Sequence, residues 1–140
     1  MLNSLKPVSA GNIPEEVNVI IEIPAHSSPV KYEIDKETGA MFVDRFISTP
    51  MFYPCNYGFV PETLADDGDP ADVLVITPYP LIHDSVITAR PIGILRMTDE
   101  AGKDSKILAV PTDELCRSYH HIKSIDDIGV TLKDQIEHFF

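Results

Sequence analysis

VNVIIEI, residues 17–23, alternates apolar with other side chains at a period of two, the repeat of an extended strand. Val17, Val19, Ile21 and Ile23 fall on one face, and Asn18, Ile20 and Glu22 on the other. Glu22 is set inside an apolar run, where a carboxylate is costly unless it is paired or bound to a metal. Further along, PVKYEI (29–34) alternates again, with Val30, Tyr32 and Ile34 pointing one way and Lys31 and Glu33 sharing the other. That shared face offers an ion pair or a joint site. The turn DKETGA, with Gly39 available for positive φ, leads into the strand-like AMFVDRFI. A Pro-rich loop then precedes VLVI (73–76), SVITARPIGILRM (85–97) and KILAV (106–110).

Helical signals gather at the end. TLKDQIEHFF (131–140) places Leu132, Ile136, Phe139 and Phe140 on one apolar helical face, and residues 111–119 hold a second, shorter helix. About six strands followed by one or two helices predict an α+β chain, mainly β: a small barrel with helices packed outside it.

The 140 residues suffice for a single domain (1–140) with one hydrophobic core. Twelve Pro scattered along the chain fit short strands joined by turns. The formal charge of −11 repels nucleic acid and anionic lipid and argues against both as partners. Apolar runs stay too short to span a membrane, and the first residues lack the apolar core of a signal peptide. Cys55 and Cys116 stand far apart and form no CxxC pair, so a reducing cytoplasm is expected.

The chemistry concentrates in DDGDPAD (66–72), four carboxylates in seven residues. Asp, Gly and Pro also make ordinary surface turns, which is the plain alternative. An EF-hand is excluded, because counting from Asp67 puts Ala71 and Pro78 where ligands belong. An aspartyl-phosphate motif fits poorly, since no apolar strand precedes the run. Other carboxylates recur, however. In TDEAGKDSK, Asp99 and Asp104 flank a short loop, and a hairpin there would set them face to face. Lys106 follows Asp104 by two, on the same face of a regular strand. Asp67, Asp69, Asp72, Asp99 and Asp104, with Glu22 and Glu33 nearby, form an all-oxygen set suited to Mg²⁺ or Mn²⁺. No His/Cys grouping of zinc spacing competes with it. A carboxylate cage beside Lys and Arg matches the needs of phosphoryl chemistry.

These residues resemble the soluble inorganic pyrophosphatases of the bacterial, Mg²⁺-dependent type (family I). DGDPADVLV (67–75) is similar to that family's Asp-Gly-Asp-Pro-x-Asp signature. IEIPA (21–25), KYEIDKETGAMFVDRF (31–46), MFYPCNYGFVPET (51–63), TPYPL (77–81) and ARPIGILRMTDEAGKDSKILAVP (89–111) extend the likeness over nearly the entire chain. The resemblance implies hydrolysis of inorganic pyrophosphate to two orthophosphates on a five-stranded closed barrel of OB type with flanking helices. It implies Asp67, Asp72, Asp99 and Asp104 as Mg²⁺ ligands and Asp69 as the general base. Lys31, Arg45, Tyr57 and Lys106 become phosphate binders, with Glu22, Glu33 and Tyr53 in support. It also implies a cytoplasmic homo-oligomer, a hexamer of two stacked trimers.

Family members continue past the Phe-Phe position into a Tyr-Lys pair and a further helix. Relative to that pattern the C-terminal segment is expected to be shortened; an active enzyme is still expected, with the missing phosphate contact as a reason its activity could be lower. The alternative from another class is a non-catalytic metal-binding remnant that serves in structure or assembly.

Overall fold

The computed structural model describes residues 8–63, 69–99 and 102–140, with the side chain of Asp99 outside the described part. Its strands are β1 (Val17–Ile23), β2 (Val30–Ile34), β3 (Met41–Phe46), β4 (Asn56–Phe59), β5 (Asp72–Val75), β6 (Val86–Asp99) and β7 (Gly102–Pro111). Among the described residues one α-helix, α1 (Val130–Phe139), follows two short 3₁₀ turns. Five strands close into a barrel in the order β1-β4-β5-β7-β6, while β2 and β3 pair as a separate hairpin. Every neighbour in the ring is antiparallel except β5 and β7, which run parallel.

Side-chain alternation divides the apolar residues into two layers. Val17, Val19, Ile21, Val73, Val75, Ala89 and Ala109 form one cluster drawn from four barrel strands. These small and branched residues fill the interior of a narrow barrel, which has room only for side chains. Tyr53, Tyr57, Leu74, Leu108 and Val110 form the other cluster with Ile122, Ile128 and Ile136. Since Ile136 belongs to a helix, this second layer lies outside the ring.

β4 departs from the sequence reading, which left NYGF inside the Pro-rich loop. All four residues are buried. A strand covered on both faces loses the alternation by which strands are recognised. Gly58 is needed there, because a Cβ would collide with the Ile20 carbonyl oxygen and lie 2.9 Å from Val19 Cγ1. Asn56 locks the same strand. Its Oδ1 accepts from the Ala25 and Leu81 N–H groups at 2.9 and 3.0 Å, and its Nδ2 donates to the Val75 carbonyl and Thr77 Oγ1 at 2.9 and 2.8 Å. All four hydrogen-bonding positions of this buried amide are filled.

Three further expectations change. The pairing of β1 with β4 shifts between Ile21 and Ile23, a bulge that re-aims the end of β1. Ile23 therefore joins the outer layer rather than the interior face of Val17, Val19 and Ile21. In the β6–β7 hairpin Asp99 stands opposite Gly102, and Asp104 opposite Met97. Asp99 and Asp104 are thus offset along the hairpin instead of directly opposed. The helix expected within 111–119 reduces to a single 3₁₀ turn, Arg117–Tyr119.

α1 behaves as its apolar face requires. Ile136 is buried, and Leu132, Phe139 and Phe140 pack against the outer layer. The two terminal rings dock on the barrel: Phe139 lies 4.6 Å from Tyr53 between ring centroids, and Phe140 stacks 6.0 Å from Tyr57 with planes 17° apart. No described helix is long and apolar enough to cross a membrane.

Candidate active site

The parallel pairing of β5 with β7 sets Asp72 beside Lys106, and the antiparallel pairing of β4 with β5 sets Phe59 beside Asp72. One row across three strands thus carries an aromatic ring, a carboxylate and an ammonium on the outer face of the barrel. Asp104, two residues before Lys106, shares that face. Lys106 Nζ lies 3.0 Å from Asp104 Oδ2 and 3.3 Å from Asp72 Oδ2. It is also 3.5 Å from the Tyr57 hydroxyl and 5.2 Å from the centre of that ring.

Only 6% of Lys106 is exposed, so these contacts form with little help from water. Burial raises the carboxyl pKa of Asp72, and the Lys106 charge offsets part of that rise. Burial likewise raises the Tyr57 hydroxyl above the ordinary phenol range, which keeps it a neutral donor. Tyr53, against Phe139, is pushed up to about 12 for the same reason.

Around this trio opens a cavity of about 640 Å³. Ten of the twelve expected site residues line it: Glu22, Lys31, Glu33, Arg45, Tyr53, Tyr57, Asp69, Asp72, Asp104 and Lys106. Asp67 falls outside the described residues, and for Asp99 only the backbone, at the end of β6, is placed. The β2–β3 hairpin supplies one wall. Arg45 and Glu33 are exposed, and Lys31 is held 3.7 Å from Asp44 Oδ2. The salt bridge of Lys31 is therefore with its neighbour across the hairpin, not with Glu33 on its own strand. A register shift between Lys31 and Tyr32 accompanies that pairing.

Glu22 lies at the bulge end of β1 and is only 4% exposed. The Ile34 N–H donates to its Oε2 at 2.8 Å, and Lys36 Nζ stands 3.9 Å from the same oxygen. Burial is the main cause of a carboxyl pKa pushed up to about 7, opposed by that backbone bond and by Lys36. Lys36 was not among the expected site residues, although it too lines the cavity. In sequence it reads only as part of a turn. Phe59, Phe139 and Phe140, also missed, close the apolar side.

The donor set suits a hard divalent cation. One ammonium between two partly buried carboxylates leaves the group negative, and every donor is oxygen. Among the described residues no three of His, Cys, Asp and Glu converge to metal-binding distance. Two of the four expected ligands, Asp67 and the Asp99 side chain, stand outside that set.

Comparison with known proteins bears on what such a cavity serves. The inorganic pyrophosphatase family model matches residues 19–140. The inorganic pyrophosphatase of Yersinia pestis is 60% identical over 138 residues, covering 98% of this chain and 79% of that protein. That of Escherichia coli K12 is 61% identical over 138 residues, covering 98% and 78% respectively. Among solved structures, an inorganic pyrophosphatase from Coxiella burnetii superposes with a TM-score of 0.90 at 58% identity, covering 95% of this chain and 79% of the other. With a matching barrel, a matching family model and identity of this order along nearly its whole length, the chain belongs to the inorganic pyrophosphatase family.

Proposed function

We propose that this chain hydrolyses inorganic pyrophosphate to two orthophosphates in the cavity around Lys106. The observation that carries the reading is the buried ammonium of Lys106, 3.0 and 3.3 Å from two carboxylates, in a cavity lined also by Lys31 and Arg45. Such a lining combines fixed positive charge for phosphate oxygens with acceptors for a cation and for a proton. Family membership gives the reaction.

Lys31, Arg45 and Lys106 bind the phosphate oxygens, and the Tyr57 hydroxyl donates to one of them. Tyr57 suits that part because burial holds it protonated. Asp69 takes the proton from the attacking water. The water oxygen bonds to one phosphorus, that phosphorus loses its bond to the bridging oxygen, and the electron pair leaves with the second phosphate. Asp67, Asp72, Asp99 and Asp104 would hold Mg²⁺, with Mn²⁺ as a substitute. A bound divalent ion supplies neutralisation of phosphate charge and lowers the pKa of water. Glu22, Glu33 and Tyr53 support this network from the hairpin and the β1 side.

The 140 residues act as one domain with an OB-type barrel, in the cytoplasm, as a homo-oligomer, a hexamer or a trimer. Its charge of −11 keeps it from nucleic acid. A non-catalytic remnant is the weaker reading, because it gives no reason for a buried lysine to be kept between two carboxylates facing a cavity.

Mg²⁺-dependent phosphate release from pyrophosphate, measured beside Asp69→Asn, tests the proposal. Release by the wild type and a loss of at least about a hundredfold in the variant are expected, within the range for removing a general base. Equal rates in two folded proteins would overturn the role of Asp69, and no release from the folded wild type would overturn the activity.

A further inference from the structure

Lys36 stands on the turn between β2 and β3, in a position more constrained than that of an ordinary surface lysine. Its Nζ donates to the Ile34 carbonyl at 3.1 Å and sits 4.0 Å over the Phe59 ring centre. The same nitrogen is 3.9 Å from Glu22 Oε2, the oxygen that also takes the Ile34 N–H. A carbonyl, an aromatic face and a buried carboxylate thus fix one ammonium from three sides. Phe59 is the first member of the row that continues through Asp72 to Lys106. The hairpin turn is in this way clamped to the barrel wall beside the candidate site.

We propose that Lys36 is a positioning residue of this site: its ammonium, seated on Phe59 and the Ile34 carbonyl, holds the Oε2 side of Glu22 against the hairpin turn and so orients that carboxyl in the cavity. The inference rests on reading the cavity as the pyrophosphate site. The Ile34 N–H and the Lys36 ammonium both lie on the Oε2 side of this carboxyl, and Glu22 itself lines the cavity. Lys36 is the cation paired with Glu22 and favours its ionisation, while Lys31, Arg45 and Lys106 line the same cavity. Glu33 on β2 and Asp72 on β5 both oppose its ionisation, and burial opposes it more strongly. Tyr53 and Tyr57, across the cavity, are neutral hydroxyls near neutral pH. Cation–aromatic attraction and the carbonyl hold Lys36 in place whether or not Glu22 is charged.

The test compares wild type, Lys36→Met and Lys36→Arg. Methionine keeps an apolar stem over Phe59 but removes the charge. Carbon-13 NMR of labelled glutamate carboxyls reads the titration of Glu22 directly, with Glu22→Gln identifying its signal. Removing Lys36 should move the Glu22 midpoint up by about one pH unit, a tenfold change in its ionised fraction, and arginine should restore it. The acidic limb of kcat/KM for pyrophosphate should move the same way. Lys36→Met added to Glu22→Gln should cause no further loss.

An unchanged Glu22 midpoint in folded Lys36→Met overturns the proposal, as does an equal loss of activity in the Glu22→Gln background. If methionine prevents folding, Lys36→Gln carries the same comparison. The NMR titration does not depend on turnover, so a failure of the pyrophosphatase reading would appear in the wild-type assay while the link between Lys36 and Glu22 is still decided.

Discussion

Replacing Glu22 by Gln should make the protein less sensitive to pH, and the size of the effect follows from the burial of this carboxyl. Gln keeps an acceptor for the Ile34 N–H, so the 2.8 Å bond can persist while the ionisable group is lost. In the folded chain the carboxyl pKa lies at about 7 against an ordinary 4.5. A folded pKa above the unfolded one means that the folded state holds its proton more tightly. The stability this provides is complete below about pH 4.5 and is lost as the pH rises through about 7. At about 1.4 kcal/mol per pH unit, the whole window is worth about 3 kcal/mol.

The assay is urea unfolding of wild type and Glu22→Gln in the presence of a chelator, at intervals from pH 4.5 to 8. Taking the difference between the two proteins cancels the titration of every other carboxylate. Wild-type stability minus variant stability should fall by about 3 kcal/mol across the window. A flat difference would show that Glu22 titrates as if exposed. A difference rising with pH would show that the fold stabilises its ionised form outright. Either result would refute the account of burial given for β1.

Gly58→Ala should cost about 3 kcal/mol or more in denaturant unfolding, because the new methyl meets the Ile20 carbonyl and the contact lies between two barrel strands. A loss below about 0.5 kcal/mol, the range of an ordinary surface change, would mean that β1 and β4 are not so closely apposed. Lys106→Met should lower kcat/KM for pyrophosphate roughly ten- to a hundredfold, the worth of one charge-assisted contact. It should also move the Asp72 titration higher, since the charge that offsets burial is gone. Undiminished kcat/KM with a folded protein would remove Lys106 from substrate binding.

How much of this could be read in advance depends on whether a residue announces its surroundings. β1 was legible because Val17, Val19 and Ile21 face an apolar interior while Asn18 and Ile20 do not. The pair Asp104 and Lys106 was legible on one face because it keeps strand spacing beside an apolar run, whereas the place of Asp72 beside Lys106 comes from the β5–β7 register. β4 was not, because NYGF is buried on both faces and has no period to detect. The bulge at the end of β1 is invisible for a related reason: Ile21 and Ile23 are equally apolar, so nothing local says that one lines the interior and the other the outer layer. The offset of Asp99 from Asp104 depends on hairpin register, which spacing alone does not fix. Lys36 shows the limit most plainly. Its partners Glu22 and Phe59 lie on two barrel strands that only tertiary packing brings to the turn.

The charged site is specified largely by apolar residues that never touch it. Asp72 stands beside Lys106 because β5 and β7 pair in one register, and that register also sets Val73 beside Ile107 and Val75 beside Ala109. These four belong to the interior layer, packed among valines, isoleucine and alanines. Slipping one strand by a single residue would turn every side chain to the opposite face. A slip of β7 would drive Lys106 and Asp104 toward the apolar interior and leave Ile107 and Ala109 outside. Burying those charges among branched side chains would cost several kcal/mol apiece, far more than the pairing of one ammonium with two carboxylates could return. The interior pattern thus fixes which way Asp72, Asp104 and Lys106 face, and the cavity inherits its charge arrangement from the core. Changes at Val73 or Ala109 that loosen the register should therefore disturb catalysis before they unfold the barrel, although neither residue lines the cavity.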